Sequence, residues 1–328
     1  MKIASKSGEY PLWLIQKAPD PHLLEGMKGL LDRLSLHTVC EAALCPNQGQ
    51  CFSSGTATFL IMGDVCTRNC SFCAIEKGHP LPLDPLEPEN IARAVTALKL
   101  NHVVITSVTR DDLGDGGASH FARTIGALRL TKPDVVIEVL IPDFQGSFDT
   151  LKKAVDSNAH VIGHNMETVP SLYARVRPKA NYRRSLDVLR AIKAMAPGLI
   201  TKSGLMLGLG ETKNEVVAVL RELRAAGCDC LTLGQYLPPS PKHHPLVRYI
   251  TPQEFDEYRI IGERTGFSCV FSGPFVRSSF KAAEMYEKVM SQRGQQEAQS
   301  GAFHDDSNKI QTLKRFERSL ANDDSLPP

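Results

Sequence analysis

The stretch TATFLIMGDVCTRNCSFC, Thr56 to Cys73, runs from an apolar, β-branched segment straight into three cysteines spaced Cys-x3-Cys-x2-Cys. The apolar part ends at Gly63 and reads as a β-strand. Cys66, Cys70 and Cys73 therefore open the loop that follows that strand. Three thiolates on one short loop can each hold a corner of an iron–sulfur cube, leaving the fourth iron without a protein ligand. A zinc ion would want a fourth Cys or His, and His79 lies six residues on, so zinc is the competing reading. The loop position and the chain that follows favour iron–sulfur.

Just upstream, CEAALCPNQGQC places Cys40, Cys45 and Cys51 in a wider Cys-x4-Cys-x5-Cys pattern. Six of the nine cysteines thus fall between Cys40 and Cys73. The start, MKIASKSGEYPLWL, has no apolar core of a signal peptide and no Arg/Ser-rich transit pattern. No run approaches the roughly 18 apolar residues of a membrane helix. A cytoplasmic, non-membrane protein is expected, with reduced thiols, and clustered cysteines there point to metal rather than disulfides.

Working outward, short apolar runs alternate with amphipathic stretches. TATFLIMG, 102–108, 135–141, 160–166, 200–208 and 230–236 read as strands; 89–100, 118–130, 147–157, 181–195 and 213–226 read as helices. Repeated β-then-α order implies a parallel sheet with right-handed crossovers. Polar groups sit just after the strands: TRDD after the second, HNMET at the fourth, GLGET after the fifth, QYLPPS after the sixth. An open doubly wound sheet and a barrel both place ligands at strand C-terminal ends. So many loaded loops favour convergence on one cavity, hence an incomplete parallel (β/α)6 TIM-type barrel of the α/β class.

The expected organisation is an irregular N-terminal extension, 1–55, carrying the upstream cysteines, and a barrel core, 56–275. A segment 276–290 carries GPFVRSSF's terminal RSS and a helix from 279; a polar tail, 291–328, reads as mostly disordered, with one helical stretch at IQTLKRFERSL. With 328 residues and 42% apolar content, there is enough core for one large domain with appendages. A net charge of +2 gives no broad basic field, which argues against nucleic acid. The basic segments RLTK and PKANYRR read as solvated helix ends.

Among other groups, Cys228, Cys230 and Cys269 read as buried structural thiols. GLMLGLGET, with Gly204, Gly208 and Gly210, does not fit the dinucleotide fingerprint; it suits either a tight turn or close backbone approach to a ligand. Arg110, Asp111 and Asp112 suit either salt bridging or ligand contact. Asn165 and Glu167, two apart, would share a side if the fourth strand persists, and Arg177 would suit a carboxylate as a bidentate fork. His243 and His244, in a Pro-rich loop, read as solvated.

Cys-x3-Cys-x2-Cys with an aromatic before the last Cys, after the first strand of a β/α series, resembles the radical S-adenosylmethionine (SAM) superfamily. With the upstream triplet, VVITSVTRDDLGDGGASHF, HNMETV, RVRPKANYRRSL, TKSGLMLGLGET, LTLGQYLPPS and GPFVRSSF, the chain resembles the lipoyl synthase family from about Pro11 to Ala283. That resemblance implies two 4Fe–4S clusters. One, on Cys66, Cys70 and Cys73, binds SAM at its open iron and yields a 5′-deoxyadenosyl radical. The other, on Cys40, Cys45, Cys51 and Ser279, donates sulfur. Serine is a poor iron ligand beside thiolate, which suits a cluster that must be dismantled. Asn165, Glu167, Arg177 and Gly208 become candidate SAM contacts. The implied reaction inserts sulfur at carbons 6 and 8 of an octanoyl-lysine. The implied partners are octanoylated lipoyl carrier domains of 2-oxoacid dehydrogenase E2 subunits and the glycine cleavage H protein, with ferredoxin or flavodoxin as electron donor. A biotin-synthase-like or methylthiotransferase activity is the alternative, which the placement of the second triplet and of RSS argues against. Where the family reads Arg-Ser-Ser-Tyr, this chain has Phe280.

Overall fold

Fully apolar runs flanked by Gly and polar residues form strands buried on both faces, as expected of a parallel sheet covered by helices. The structure, a computed structural model, describes residues 10–15, 21–42, 45, 47, 51 and 58–300. In chain order the elements are α1 (Pro21–Arg33), β1 (His37–Thr38), α2 (Val39–Ala42), β2 (Thr58–Ile61), β3 (Val65–Cys66) and β4 (Glu76–Lys77). Next come α3 (Glu87–Ala97), β5 (His102–Ser107), α4 (Ala118–Thr131), β6 (Val136–Leu140), α5 (Phe148–Asp156), β7 (Val161–Gly163), α6 (Tyr173–Val176) and α7 (Tyr182–Met195). The chain continues through β8 (Ile200–Leu207), α8 (Lys213–Ala225), β9 (Cys230–Gln235), α9 (Pro252–Thr265), β10 (Cys269–Gly273) and α10 (Ala282–Ser300).

The main sheet runs β1-β2-β5-β6-β7-β8-β9-β10, parallel throughout except for β1, which pairs antiparallel with β2. The six expected strands are all present in consecutive order, and β10 extends them as a seventh parallel strand, with Cys269 opposite Cys230. Among the described residues no pairing joins the two ends, so the barrel is incomplete. Side chains such as Phe59, Ile61, Ile105, Ile137, Ile162 and Leu231 fill the core. The helices are bounded by local chemistry. Thr212 and Thr251 form capping boxes with Glu215 and Glu254, Asn181 caps α7, and Gly266 ends α9 in the left-handed region.

Two expectations change. The N-terminal extension is not irregular throughout: α1 buries Met27 and Leu31, four apart, and Leu34 follows three residues on, so an amphipathic helix packs onto the core. Nor is the tail disordered from 291, because α10 continues to Ser300. Met285 and Val289 pack against Val161, Ile200, Cys230 and Cys269, which anchors this helix across the N-terminal ends of the strands. The Tyr286 ring meets His102 and His160 there at 6.1 and 5.8 Å between centroids. The helical stretch read at IQTLKRFERSL lies outside the described residues. Cys228, Cys230 and Cys269 are buried thiols, as expected. No helix among the described residues is long and apolar enough to cross a membrane.

The segment after β10 returns over the end of β9. A Cβ on Gly234 would lie 2.0 Å from the Val276 carbonyl oxygen, so only glycine admits that crossing. Asn47, far away in sequence, donates from Nδ2 to the Phe275 carbonyl at 2.5 Å and fastens the N-terminal extension to the same segment. Gly234→Ala should cost about 1–3 kcal/mol, the range for overpacking, because the clash is with backbone. Urea denaturation of the metal-free chain should show that loss, and limited proteolysis should cut first within residues 274–281.

Candidate metal and cofactor site

The cysteine loop has little structure of its own. Its two ends form a short parallel ladder, β3 with β4, and Gly78 N–H donates to Cys66 O at 3.0 Å. Much of what lies between is held by loops at the C-terminal ends of other strands. Cys66 Sγ accepts from the amides of Arg68 and Thr109 at 3.4 and 3.3 Å. Thr67 bonds to Thr109 through both amide and hydroxyl, and Asp111 N–H donates to its Oγ1. Ser71 donates from its amide to Val176 O and from its hydroxyl to Arg175 O.

Arg68 makes the strongest of these anchors, and nothing in the sequence reading singled it out. Its buried guanidinium takes Asp111 bidentately at 2.7 and 2.9 Å and Asp143 at 2.6 Å, joining the loops after β5 and β6. Burial works to raise the Asp143 carboxyl, but the hydrogen bond and charge of Arg68 prevail and hold it at about 2. The turn presenting Asp143 is strained, with positive φ at Phe144 and Gln145. A signal was available: an arginine inside the cysteine motif, with acidic residues at two strand ends. Of the TRDD group, Asp111 serves this clamp, while Arg110 takes Asp112 and the Met62 carbonyl. The PKANYRR segment also does more than end a helix in water. Lys179 donates to Thr67 O at 3.0 Å, and Arg184 lies 3.8 Å from Asp143.

The three thiols of this loop lie in electrostatic range of one another. Burial pushes Cys73 up to about 12, with Cys70 and Cys66 adding to the shift, and burial also raises Cys70. Glu167 and Arg177 act electrostatically on Cys70. Neutral thiols at such values are poor nucleophiles; metal binding has to expel their protons and supply the compensating charge. His79, the possible fourth zinc ligand, is exposed. Among the described residues, no three His, Cys, Asp or Glu side chains are gathered as a site for one metal ion.

Asn165 and Glu167 come together, though not by the expected alternation. Strand β7 stops at Gly163, and Glu167 adopts φ 65° while bridging to Leu205. Asn165 Nδ2 then donates to Glu167 Oε1 at 3.0 Å. Burial raises the Glu167 carboxyl against the pull of Arg177 and Asn165. Arg177 is buried. Its Nη1 donates to the carbonyls of Asn165 and Met166 and to the Tyr173 hydroxyl, whereas its Nε has no partner among the described residues. Burial acts to lower its value, but Tyr173, Glu167 and Cys70 outweigh that and leave it raised. An orphaned, buried guanidinium N–H in range of the Glu167 carboxylate and the Cys70 thiol fits a polar, anionic ligand here. Gly208 is placed differently. At φ 102°, its missing Cβ makes room for Arg248 O and Gln235 Nε2 of this same chain, both 2.5 Å from where it would lie.

The upstream cysteines lie in electrostatic range of one another. Burial pushes Cys40 to about 12 and Cys51 to about 11, each with further contributions from Cys45. Cys45 lies in electrostatic range of Arg277, at the start of a turn closed by Phe280 N–H to Arg277 O at 3.0 Å. Ser278 and Ser279 are the middle residues of that turn and are partly exposed. Cys45 near a hydroxyl-bearing turn is compatible with a mixed thiolate and oxygen donor set.

Comparison with known proteins shows the family. Residues 60–223 match the radical SAM superfamily. A protein named lipoyl synthase from Alkaliphilus metalliredigens is 54% identical over 278 residues, covering 85% of this chain and 96% of that one. The chain belongs to the lipoyl synthase family. Lipoyl synthase from Nitratidesulfovibrio vulgaris (Hildenborough) is 50% identical over 290 residues, 88% of this chain and 97% of the relative. In fold, the chain is similar to Streptococcus suis SuiB bound to its precursor peptide SuiA. The TM-score is 0.52 at 12% identity, over 82% of this chain and 58% of that one. A hydrogenase maturase, HydG, has the same TM-score at 14% identity, over 83% of this chain and 61% of that one.

The Arg68 clamp has a pH signature. Asp143, depressed from 3.8 to about 2, contributes stability that is fully present above the unfolded value and lost as pH falls through the folded one. That contribution is roughly 2 kcal/mol. Arg68→Ala should remove it and strand a buried carboxyl. Urea denaturation of metal-free protein should show the largest wild-type advantage above about pH 4, shrinking toward pH 2.

Proposed function

We propose that the chain converts a protein-bound octanoyl-lysine to lipoyl-lysine by inserting sulfur at carbons 6 and 8, using two separate iron–sulfur sites. The two-site reading is supported by two cysteine triplets whose thiols act electrostatically within each set, one on the loop after β2 and the other upstream, where Cys45 lies in electrostatic range of Arg277. Its relatives are named lipoyl synthase at about the level that supports shared chemistry.

In this reading Cys66, Cys70 and Cys73 hold the SAM-binding 4Fe–4S cluster. The chemistry that such a cluster supplies is one-electron reduction of the SAM sulfonium. Arg177, through its free Nε, and the Asn165–Glu167 pair would receive the charged and hydroxyl groups of SAM. Gly208 is the weakest of the four contacts proposed from sequence, because its open side faces Arg248 and Gln235. Cys40, Cys45, Cys51 and Ser279 hold the second cluster, which is a sulfur substrate. Carrier domains bearing octanoyl-lysine are the partners, such as E2 subunits and H protein. A small ferredoxin or flavodoxin supplies electrons, and the cytoplasm is the compartment.

The central test pairs two triple variants. Replacing Cys66, Cys70 and Cys73 by Ala should halve the iron bound and abolish release of 5′-deoxyadenosine. Replacing Cys40, Cys45 and Cys51 by Ala should also halve the iron, yet SAM cleavage should persist with no thiolated peptide by mass spectrometry. Lipoyl product from the second variant would refute the sacrificial-cluster assignment.

Ser279 separates ligand strength from ligand presence. Ser279→Ala should hold the second cluster loosely. Ser279→Cys should retain its iron at least as well as wild type but deliver less sulfur in a single turnover, because thiolate binds iron more firmly. Ser278→Ala should be mild. Equal sulfur yield from Ser279→Cys and wild type would exclude a role for the weak oxygen ligand.

A further inference from the structure

The segment after β9, residues 236–250, forms neither helix nor strand, yet is fastened along both margins. One margin grips the cysteine loop. His243 Nε2 lies 3.1 Å from Cys73 O, and the His244 amide donates to Ser71 O at 2.8 Å. The other margin grips the turn after β8. His244 Nε2 lies 3.0 Å from Leu209 O, and Val247 N–H donates to Gly208 O at 2.9 Å. Tyr236 donates its hydroxyl to His244 O at 2.7 Å, and Ile250 N–H donates to Gln235 Oε1 at 2.8 Å. The expectation that both histidines are merely solvated is therefore wrong; both are partly buried and engaged.

The tautomer of His243 follows from its partners. A carbonyl oxygen can only accept, so Nε2 facing Cys73 carries the proton. Nδ1 then accepts, and Ser240 Oγ at 2.8 Å is its donor. The turn is closed by His243 N–H to Ser240 O at 3.1 Å. A one-way relay results: Ser240 hydroxyl to imidazole, imidazole to the carbonyl of the last cysteine.

We propose that His243 is a positioning residue for the cluster of Cys66, Cys70 and Cys73, oriented by Ser240 and acting through the Cys73 peptide. This rests on reading those cysteines as the SAM-cluster ligands. Arg68 and Thr67 fix the first half of the loop; the two histidines grip the second half from the opposite side of the barrel mouth. Outer partners of this kind orient ligands and tune the metal. An N–H aimed at the Cys73 carbonyl also offsets the negative end of that dipole beside the cluster, which favours the reduced state.

The test uses the full chain carrying Ala at Cys40, Cys45 and Cys51, so that one cluster is observed. His243→Leu removes the donor, His243→Gln keeps an N–H near the Nε2 position, and Ser240→Ala leaves the tautomer unset. His243→Leu should lose iron to a chelator roughly tenfold faster and show a more negative midpoint potential. His243→Gln should recover most of both, and Ser240→Ala should fall between. In metal-free protein, the amides of Ser71–Cys73 should exchange faster in His243→Leu while the urea midpoint stays unchanged. Parent-like iron retention and potential in His243→Leu would overturn the inference, as would failure of His243→Gln to recover either. If the parent itself binds no cluster, the cysteine reading falls and takes this inference with it, a result distinct from both.

Discussion

The arrangement of this barrel mouth depends on one requirement: a cysteine loop without secondary structure must be held open and in register by other loops. A loop of this kind cannot satisfy its own backbone groups, so it borrows partners. Thr109 and Asp111 come from the end of β5, Asp143 from the end of β6, Arg175 to Lys179 from beyond β7, and the two histidines from beyond β9. A parallel barrel is suited to this because all its strand ends point to the same rim. The buried Arg68 is the costliest of these partners to isolate, and two aspartates from different loops match its charge.

The same rim sets the electrostatics. Burial raises the Cys70 thiol and pushes that of Cys73 to about 12, which favours their neutral forms until a metal arrives. Glu167 is raised as well, while Arg177 is held charged beside it. An unpartnered guanidinium N–H of Arg177 and the Glu167 carboxylate thus lie close enough to the Cys70 thiol to act on it electrostatically. The left-handed backbone at Glu167 stores strain where the chain leaves β7 early, which turns the carboxylate toward Asn165 instead of continuing the strand.

Much of this was legible from the sequence, and the reason is periodicity. The strands from Thr58 to Gln235 are apolar runs bounded by Gly and polar residues, so their order and the α/β class could be read directly. The cysteine spacing carried the chemistry. What escaped was tertiary. The α1 pattern of Met27, Leu31 and Leu34 was hidden among prolines and cysteines. The value of Arg68 appears only when Asp111 and Asp143, 43 and 75 residues away, are brought beside it. His243 and His244 sit in a segment with no period at all, so their partners at Cys73 and Leu209 could be found only in the folded chain. Asn165 and Glu167 were paired correctly for a reason that did not hold, since the strand ends before them.

The hydrogen bond from Asn47 to Phe275 spans 228 residues of sequence, whereas the Cys66–Cys73 loop spans eight. Contacts so different in separation do not form together; local loops close early, and distant ends meet only after the intervening chain has folded. During synthesis the barrel-mouth cysteines leave the ribosome with their own strand, but the Arg277–Phe280 turn emerges after every barrel strand is already made. Cys45 therefore meets the neighbourhood of Arg277 only once the barrel strands have been made. On the two-cluster reading proposed above, the order of synthesis imposes an order of maturation, in which the local triplet is filled first and the composite one last.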